Sequence, residues 1–437
     1  MKLAVPCLLL LGLAPYTGAQ LPIDPQLAAE IAKIKAIDNH AHPVRPVLSG
    51  DKDTGYDALP VENMEAYTEP VRTREGSPLV IEAWKHLFGY RYNDLAPDHV
   101  RQLQERKKQI LQQQGANYAN WVLDQLGIET MLANRVEMGP GIAPPRFLWV
   151  PFDDALLFPL NNSALAARNS DRKSFFADED QLMRHYLKLC GLAETPATLD
   201  DYLRKIVTPI LERQKRFGAV AVKFEVAYLR SLDFDDPSKA EAARVYNTSR
   251  RGLPPDSEYK KLQDYLFRYI ATECGRLGMA VHLHAAAGAG GYFHIGGSNP
   301  LLLESVLNDP RLRRTNFVML HGGWPFTREI AALLSKPNAY ADFSEQTFMN
   351  YPREVAGAIR EWLEHAPEKV LFATDAYPFS EQMSWEEAGW VAATTGRDAL
   401  GLALTEMMRD GEISRERALA LARMVLRDNA RALYKLK

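Results

Sequence analysis

Short apolar runs alternate with longer amphipathic stretches along most of the chain, and this alternation predicts its architecture. Runs of strand character lie near residues 37, 130, 148, 222, 282, 318, 341 and 372. Helical patterns, with apolar residues recurring every three to four positions, separate most of these runs. Strands that alternate with helices form a parallel sheet, so eight such units predict an α/β fold, a (β/α)8 TIM barrel. The alternative is an open doubly wound sheet, but no glycine-rich nucleotide loop follows the first strand.

Two stretches interrupt the alternation and predict helical insertions after strands 1 and 3. Residues 44–115 follow the first strand directly, and residues 154–200 follow the third. Both contain helical patterns. Because long excursions next to a strand end are often functional, the first insertion is a candidate lid or oligomer contact. The charged run at 101–108 within it predicts a solvated helix face.

The N-terminus has the pattern of a cleavable signal peptide. Lys2 precedes an apolar run at residues 3–13, and small residues then favour cleavage after residue 19. The apolar run is too short to span a bilayer comfortably. We therefore expect residues 1–19 to be a signal peptide, residues 20–437 to be the barrel, and the protein to be secreted or periplasmic. The alternative is an N-terminal helical cap on a cytosolic protein.

Composition and charge narrow the classes of partner. The chain has 437 residues with 46% hydrophobic content, enough for a sizeable core, and its net charge is −3. This charge provides no overall field for nucleic acid or for an anionic membrane surface. No other stretch is apolar enough to cross a membrane. Cys190 and Cys274 are too few and too far apart for a disulfide scaffold, and the sequence leaves open whether they pair.

Metal-binding residue types stand at the ends of several predicted strands. Strand 1 ends in His40 and His42, which project to one side because strand side chains alternate. Strand 6 ends in His321 and strand 8 ends in Asp375. Strand 5 carries His282 and His284, and we expect His284, nearer the carboxyl end, to be the ligand, with His282 as the alternative. A barrel has its active site at the carboxyl ends of its strands, so we expect these groups to meet. Imidazole and carboxylate groups bind divalent transition metals, and the sequence therefore predicts a metal site.

The same motifs resemble the amidohydrolase-related (amidohydrolase 2) branch of the amidohydrolase superfamily. The resemblance rests on the His-x-His of strand 1 at 40–42, the histidine of strand 5, His-Gly-Gly at 321–323 and Thr-Asp-x-x-Pro-Phe at 374–379. The closing segment DNARALYKL at 428–436 also resembles the family. The segment GGSNPLLLESVL at 296–307 is similar to the amidohydrolase domain fused to glutamine synthetase in some fungal and plant proteins. The resemblance covers about residues 34–436.

This resemblance implies a metal-dependent hydrolase of a C–N amide or a related ester or lactone bond. His40, His42, His284 and Asp375 would hold one divalent metal ion, with zinc expected first and manganese or iron as alternatives. Metal-activated water would attack the substrate, with Asp375 as general acid and base and His321 polarising the substrate. The alternatives are a non-hydrolytic lyase (decarboxylase) or isomerase that uses the same metal site, and a binding protein that kept the barrel.

Strand 4 leaves the number of metal ions open. In binuclear members of the superfamily a lysine or glutamate on this strand bridges two ions, and Lys223 and Glu225 share a face. We expect instead that Lys223 stays an ammonium and that Lys223, Glu225 and Arg230 bind a small-molecule substrate, with a carboxylate as the candidate. A second metal is the alternative, and a homo-oligomer is one candidate assembly. Three loop residues are further candidates for the pocket wall: Tyr228, His294 and Trp324.

Overall fold

The core of the chain is a barrel of parallel strands. The computed structural model describes residues 22–45, 53, 55, 61–74, 76–249, 252–380 and 382–436, so the predicted signal peptide at 1–19 lies outside the described residues. Eight strands occur in these ranges, at the eight predicted places. They are β1 (Ala36–Ala41), β2 (Ile128–Asn134), β3 (Phe147–Val150), β4 (Ala221–Phe224), β5 (Ala280–His284), β6 (Phe317–Leu320), β7 (Ala339–Asp342) and β8 (Val370–Leu371).

Hydrogen bonds at two seams close these strands into a barrel. β1 to β3 and β4 to β8 each pair in chain order, with every neighbour parallel. Parallel bridges at Trp149 and Phe152 join β3 and the segment after it to β4. The N–H groups of Asn39 and His42 donate 2.9 Å hydrogen bonds to the segment that begins at β8. The predicted (β/α)8 TIM barrel is thus confirmed, although β8 is shorter than the expected strand at 370–374.

Helices surround the barrel and make up both insertions. Those in the described residues are α1 (Pro25–Lys33), α2 (Pro78–Phe88), α3 (Pro97–Gln114), α4 (Tyr118–Leu126), α5 (Ser163–Ala166), α6 (Ser170–Leu189), α7 (Leu199–Tyr202), α8 (Thr208–Arg216), α9 (Lys239–Ser249), α10 (Asp256–Leu277), α11 (Glu304–Leu307), α12 (Thr327–Leu333), α13 (Gln346–Met349), α14 (Pro352–His365), α15 (Trp385–Arg409), α16 (Arg415–Arg423) and α17 (Asn429–Tyr434). Helices α2 and α3 lie in the first insertion and α5 and α6 in the second, as predicted.

Local capping explains where several helices begin and end. The Asp24 carboxylate accepts the Leu27 N–H at the start of α1, and the Asn169 side chain caps α6 in the same way. Helices α4 and α10 each end at a glycine in the left-handed region, Gly127 with φ 66° and Gly278 with φ 66°. Glycine adopts this conformation without a Cβ clash, so these helices stop just before the strands that follow them.

The barrel interior is apolar at its amino-terminal end and polar at the other. At the amino-terminal end, buried Ile37, Leu132 and Val318 form one cluster with Leu433 of α17. His282 lies in this deeper part of β5, where its Nε2 is 2.7 Å from the Tyr434 hydroxyl. The closing helix therefore covers one end of the barrel, and the opposite end is left for a site.

Three smaller expectations concern surface features. In the charged run at 101–108, Leu103 is buried and most of the remaining residues are exposed, as expected for a solvated helix face. No helix in the described ranges combines the length and apolar character needed to cross a membrane. Cys190 and Cys274 are free thiols, and Cys274 is buried.

Candidate metal centre

The predicted histidines and Asp375 come together at the carboxyl end of the barrel. His40 belongs to β1 and His42 follows it, His284 ends β5, His321 follows β6 and Asp375 lies in the segment after β8. The ring centroids of His40 and His42 are 4.9 Å apart, and those of His40 and His321 are 5.3 Å apart. Residues from both ends of the chain therefore share one cavity.

One group of candidate metal ligands joins the first and last strands. The Asp375 Oδ1 atom is 3.2 Å from His40 Nε2 and 3.5 Å from His42 Nε2. One ligand atom from each of the three residues lies within 4.8 Å of the others. Two imidazole nitrogens and a carboxylate oxygen form a donor set that suits zinc, manganese or iron. These residues fit a divalent cation.

A second group of candidate ligands adjoins the first. His284, His321 and Glu345 also offer ligand atoms within 4.8 Å of one another. The Glu345 Oε2 atom is buried without a hydrogen-bond partner, 3.7 Å from His321 Nδ1. His321 Nδ1 is in turn 3.8 Å from Asp375 Oδ2, which links the two groups. The structure thus groups His284 with His321 and Glu345, whereas the sequence grouped it with His40, His42 and Asp375.

Glu345 is the site residue that sequence reasoning missed. It follows β7 in the segment Ala-Asp-Phe-Ser-Glu, at 341–345. The rule that led to His321 and Asp375, namely to inspect each strand's carboxyl end, applies equally to β7. The signal was therefore present in the sequence, three residues beyond the end of the strand.

The backbone is strained at this site. Among the described residues, the non-glycine residues with positive φ are His321 (64°), Glu345 (57°), Asp375 (55°) and Lys435 (55°). Three of these four line the cavity at the carboxyl end of the barrel. Side chains with a Cβ rarely adopt this conformation, and such strain collects at functional sites because the surrounding structure holds it in place.

Burial keeps the site histidines neutral. Burial lowers the pKa of His40, His284 and His321 well below the usual range, and the nearby Lys223 ammonium adds to the shift. Neutral imidazole has a free lone pair, which is the form that binds a metal ion. Burial raises the pKa of Asp375, whereas His42 and Lys223 act in the opposite direction.

Lys223 lies between the two sides of the site. Its side chain is fully buried, with Nζ 2.7 Å from Glu225 Oε1 and 3.3 Å from His40 Nε2. The pairing with Glu225 is the geometry expected of an ammonium. Glu225 also faces His284, at 3.6 Å between Oε2 and Nδ1.

Arg230, the third predicted substrate-binding residue, lies apart from these groups. Its guanidinium is 2.7 Å from Asp264 Oδ1 and donates to Gln263 Oε1 at 3.1 Å. It lines a neighbouring cavity, as does His294. The structure therefore brings Lys223 and Glu225 to the candidate metal centre but leaves Arg230 outside that cavity.

The cavity above the ligand groups has a volume of about 540 Å³ and largely aromatic walls. Tyr67 comes from the first insertion, so this insertion forms part of the wall. The Tyr228 ring is tilted against the His284 ring, with 4.8 Å between centroids. The other aromatic side chains of the wall are Phe293, Trp324, Phe348, Tyr377 and Phe379. Such a cavity suits a small molecule with an apolar body and one polar reacting group.

Comparison with known proteins identifies the family and the fold of the chain. The family model described as amidohydrolase matches residues 192–436. Protein fluG of Emericella nidulans is 28% identical over 233 residues, which are 50% of this chain but 26% of fluG, so the match spans about a quarter of that relative. A Lactobacillus casei protein assigned as a metal-dependent hydrolase has a TM-score of 0.62 at 16% identity, covering 94% of this chain and 97% of its own. Uronate isomerase of Thermotoga maritima has a TM-score of 0.60 at 15% identity, covering 94% and 96%. These two structures share the fold.

Proposed function

The chain belongs to the amidohydrolase family, and from this premise we propose that it is a hydrolase of a C–N amide or a related ester or lactone bond. The observation that carries the proposal is the arrangement of His40, His42 and Asp375 beside a second group that contains His321. Metal-assisted hydrolysis uses a carboxylate that both ligates a metal and carries a proton, together with a neighbouring buried imidazole.

We assign one divalent cation to His40, His42 and Asp375, with zinc expected first and manganese or iron as alternatives. When bound, it would supply Lewis acidity that polarises the scissile carbonyl and lowers the pKa of a nucleophilic water. His284, His321 and Glu345 are the residues that would hold a second cation. The measured metal content per chain distinguishes one cation from two.

The two oxygens of Asp375 face different partners, and this division supports its proposed role. Oδ1 faces His40 and His42, whereas Oδ2 faces His321. Asp375 can therefore accept the proton of the attacking water on the side of His321 while its other oxygen points to the ligand group. It then delivers that proton to the leaving nitrogen or oxygen.

His321 is held in place by a short hydrogen-bond chain. Its Nδ1 lies 2.9 Å from Ser344 Oγ, and the Ser344 hydroxyl donates to Asp342 Oδ1 at 2.6 Å. The His321 N–H of the backbone also donates to Asp342, at 2.9 Å. This support fixes the imidazole beside Asp375, the position from which it would polarise the substrate.

Product analysis tests the proposal. We would load the purified protein with zinc or manganese and screen it against N-acyl amino acids, lactones and aromatic acids, recording product mass. Gain of one water per substrate is the expected result, with activity lost on chelation and restored by metal. Loss of carbon dioxide would instead indicate the decarboxylase alternative, and conversion without a change in mass would indicate an isomerase.

A further inference from the structure

A second cavity of about 410 Å³ lies beside the catalytic one. The loop after β5 separates them, and its successive residues face opposite sides. Phe293 lines the catalytic cavity, whereas Tyr292 and His294 line the second one. Tyr228 lines both. The proposed hydrolase activity uses no residue that belongs to the second cavity alone.

Most cations of the second cavity already have carboxylate partners. Arg230 and Lys260 both pair with Asp264, at 2.7 Å and 2.8 Å. Arg168 pairs with Asp256 across the cavity edge. The carboxylates offset the positive charge of these three side chains, so none of the three is left without a partner.

Arg172 is the exception. Its side chain is partly buried and lines the second cavity, yet its guanidinium has no hydrogen bond or ion pair among the described residues. Burial lowers the pKa of Arg172 and the nearby Arg168 lowers it further, whereas the Asp256 carboxylate acts in the opposite direction. The adjacent Asp171 carboxylate accepts backbone N–H groups of Glu65 and Tyr292. An unpaired, partly buried guanidinium is stabilised when an anion binds to it.

Two long helices begin at the same cavity. Arg172 is the third residue of the 20-residue α6, and Asp256 and Ser257 are the first two residues of the 22-residue α10. No side-chain hydrogen bond caps α10. The free N–H groups and the dipole of a helix start attract negative charge, so they add to the attraction by Arg172.

We propose that the second cavity binds a small oxyanion, a carboxylate or a phosphate group, through Arg172, with Arg168 and the start of α10 beside it. Two carboxylates also line the cavity. Asp256 is paired with Arg168, and Asp233 lies 3.4 Å from Lys260. Neither carboxylate makes a hydrogen bond or ion pair with Arg172, although Asp256 is near enough to raise its pKa. This site lies outside the catalytic cavity and goes beyond the proposed function.

Calorimetric titration of the full chain tests this proposal. Inorganic phosphate and malonate would be titrated separately into the wild-type protein, Arg172→Gln and Arg216→Gln. Arg216 is exposed on α8 and provides the matched loss of one positive charge. Any anion that binds at the candidate metal centre contributes equally to all three proteins, and the measurement does not depend on turnover.

We expect Arg172→Gln to bind the preferred probe about tenfold or more weakly than wild type, because a charge-assisted hydrogen bond is lost. Arg216→Gln should bind like wild type, and Arg172→Lys should retain part of the affinity. Tighter binding of phosphate or of malonate identifies the oxyanion. Equal affinity of wild type and Arg172→Gln, or no binding of either probe to the wild-type protein, would overturn the proposal. Unchanged circular dichroism of Arg172→Gln excludes misfolding as the cause.

Discussion

At the scale of single residues, the candidate site brings together buried side chains, charged groups and strained backbone. Asp375 combines positive φ, proximity to two imidazoles and a raised pKa. Replacing it with asparagine retains its shape but removes its charge, so both metal affinity and proton transfer should be lost. This makes Asp375 the sharpest single test of the site.

For Asp375→Asn we expect kcat/KM to fall by a factor of about 10² to 10⁴, the range typical of a lost general acid and base. Metal content per chain, measured by mass spectrometry, should fall as well. Asp124→Asn, an exposed aspartate near α4 that pairs with Arg146, is the matched control and should keep both properties. Full activity and full metal content of Asp375→Asn would contradict the assignment.

A prediction for Lys223 concerns the preference of the cavity for acidic substrates. It lines the catalytic cavity as a buried cation paired with Glu225. In Lys223→Met we expect KM for carboxylate substrates to rise by about tenfold or more, since one charge-assisted contact is lost. Matched uncharged substrates should show a smaller change. Unchanged kinetics on carboxylates would show that Lys223 only balances the charge of Glu225.

Asp153 gives a pH-dependent prediction away from the metal ligands. Burial raises the pKa of Asp153 from 3.8 to about 7, although its Oδ1 accepts from Gln214 at 2.7 Å and from the Tyr186 hydroxyl. The folded protein therefore holds a proton that the unfolded chain releases. The free energy of unfolding should fall as pH rises from about 4 to 7, by up to about 4 kcal/mol from this group.

Urea denaturation of wild type and Asp153→Asn at several pH values measures this contribution. The stability of the variant relative to wild type should increase from pH 4 to 7 and then level off, because asparagine carries no proton to release. Asp98→Asn, an exposed aspartate, should show no such trend. A constant difference between Asp153→Asn and wild type across this range would be inconsistent with a buried protonated Asp153.

Site residues that follow a strand could be predicted, whereas contacts between distant elements could not. His40, His42 and His321 lie at or next to strand ends, where barrel geometry determines which way a side chain faces. Glu345 lies no farther from β7 than Asp375 lies from β8, so inspection of every strand end would have found it too. The partner of Arg230 is Asp264 on α10, which no local pattern could reveal.

At the scale of elements, one carboxylate connects three segments around the cavity. Asp171 on α6 accepts the backbone N–H of Glu65 from the first insertion at 2.6 Å. Its other oxygen accepts the N–H of Tyr292 from the loop after β5 at 2.9 Å. The side chain is buried, with 8% exposed. These bonds join residues more than 100 positions apart, so sequence periodicity could predict α6 but not its contacts.

Asp171→Ala should loosen this connection. We expect faster amide hydrogen exchange in residues 61–66 and 288–293, and a larger increase in KM than decrease in kcat, because the cavity wall becomes mobile while the metal ligands stay in place. Lys173→Ala, an exposed change on the same helix, is the control. If exchange in these two segments stays at the wild-type rate, Asp171 does not hold the wall.

At the scale of the whole molecule, the period of the hydrophobic pattern was sufficient to predict the barrel. The strands are short and apolar, and amphipathic helices cover them from outside. Parallel pairing of the strands in chain order therefore buries both the strands and the apolar faces of the helices. The same reasoning could not give the course of the described residues of the first insertion. Glu65 contacts Asp171 and the β5 loop, and α2 packs against α15 as well as against its sequence neighbour α3.

The first and last strands meet where the candidate metal ligands lie, and this predicts a link between metal binding and global stability. His40 and His42 come from the β1 region, and Asp375 follows β8. The Asp375 N–H also donates to His40 O at 2.8 Å across that seam. A cation at this place would connect the two ends of the barrel in the folded state and bind the unfolded chain poorly. Such binding stabilises a fold by about 2.7 kcal/mol when the free metal is 100-fold above its Kd.

We therefore expect chelation to lower the Tm of the wild-type protein, and the loss to depend on the concentration of metal restored afterwards. His40→Ala should have a Tm that neither chelator nor metal changes, since it lacks one of the three ligands. His99→Ala, a half-buried histidine of α3 that lies outside the candidate metal centre, should respond like wild type. A wild-type protein that binds metal stoichiometrically yet has the same Tm with and without it would mean that the ion does not bridge the closing seam of the barrel.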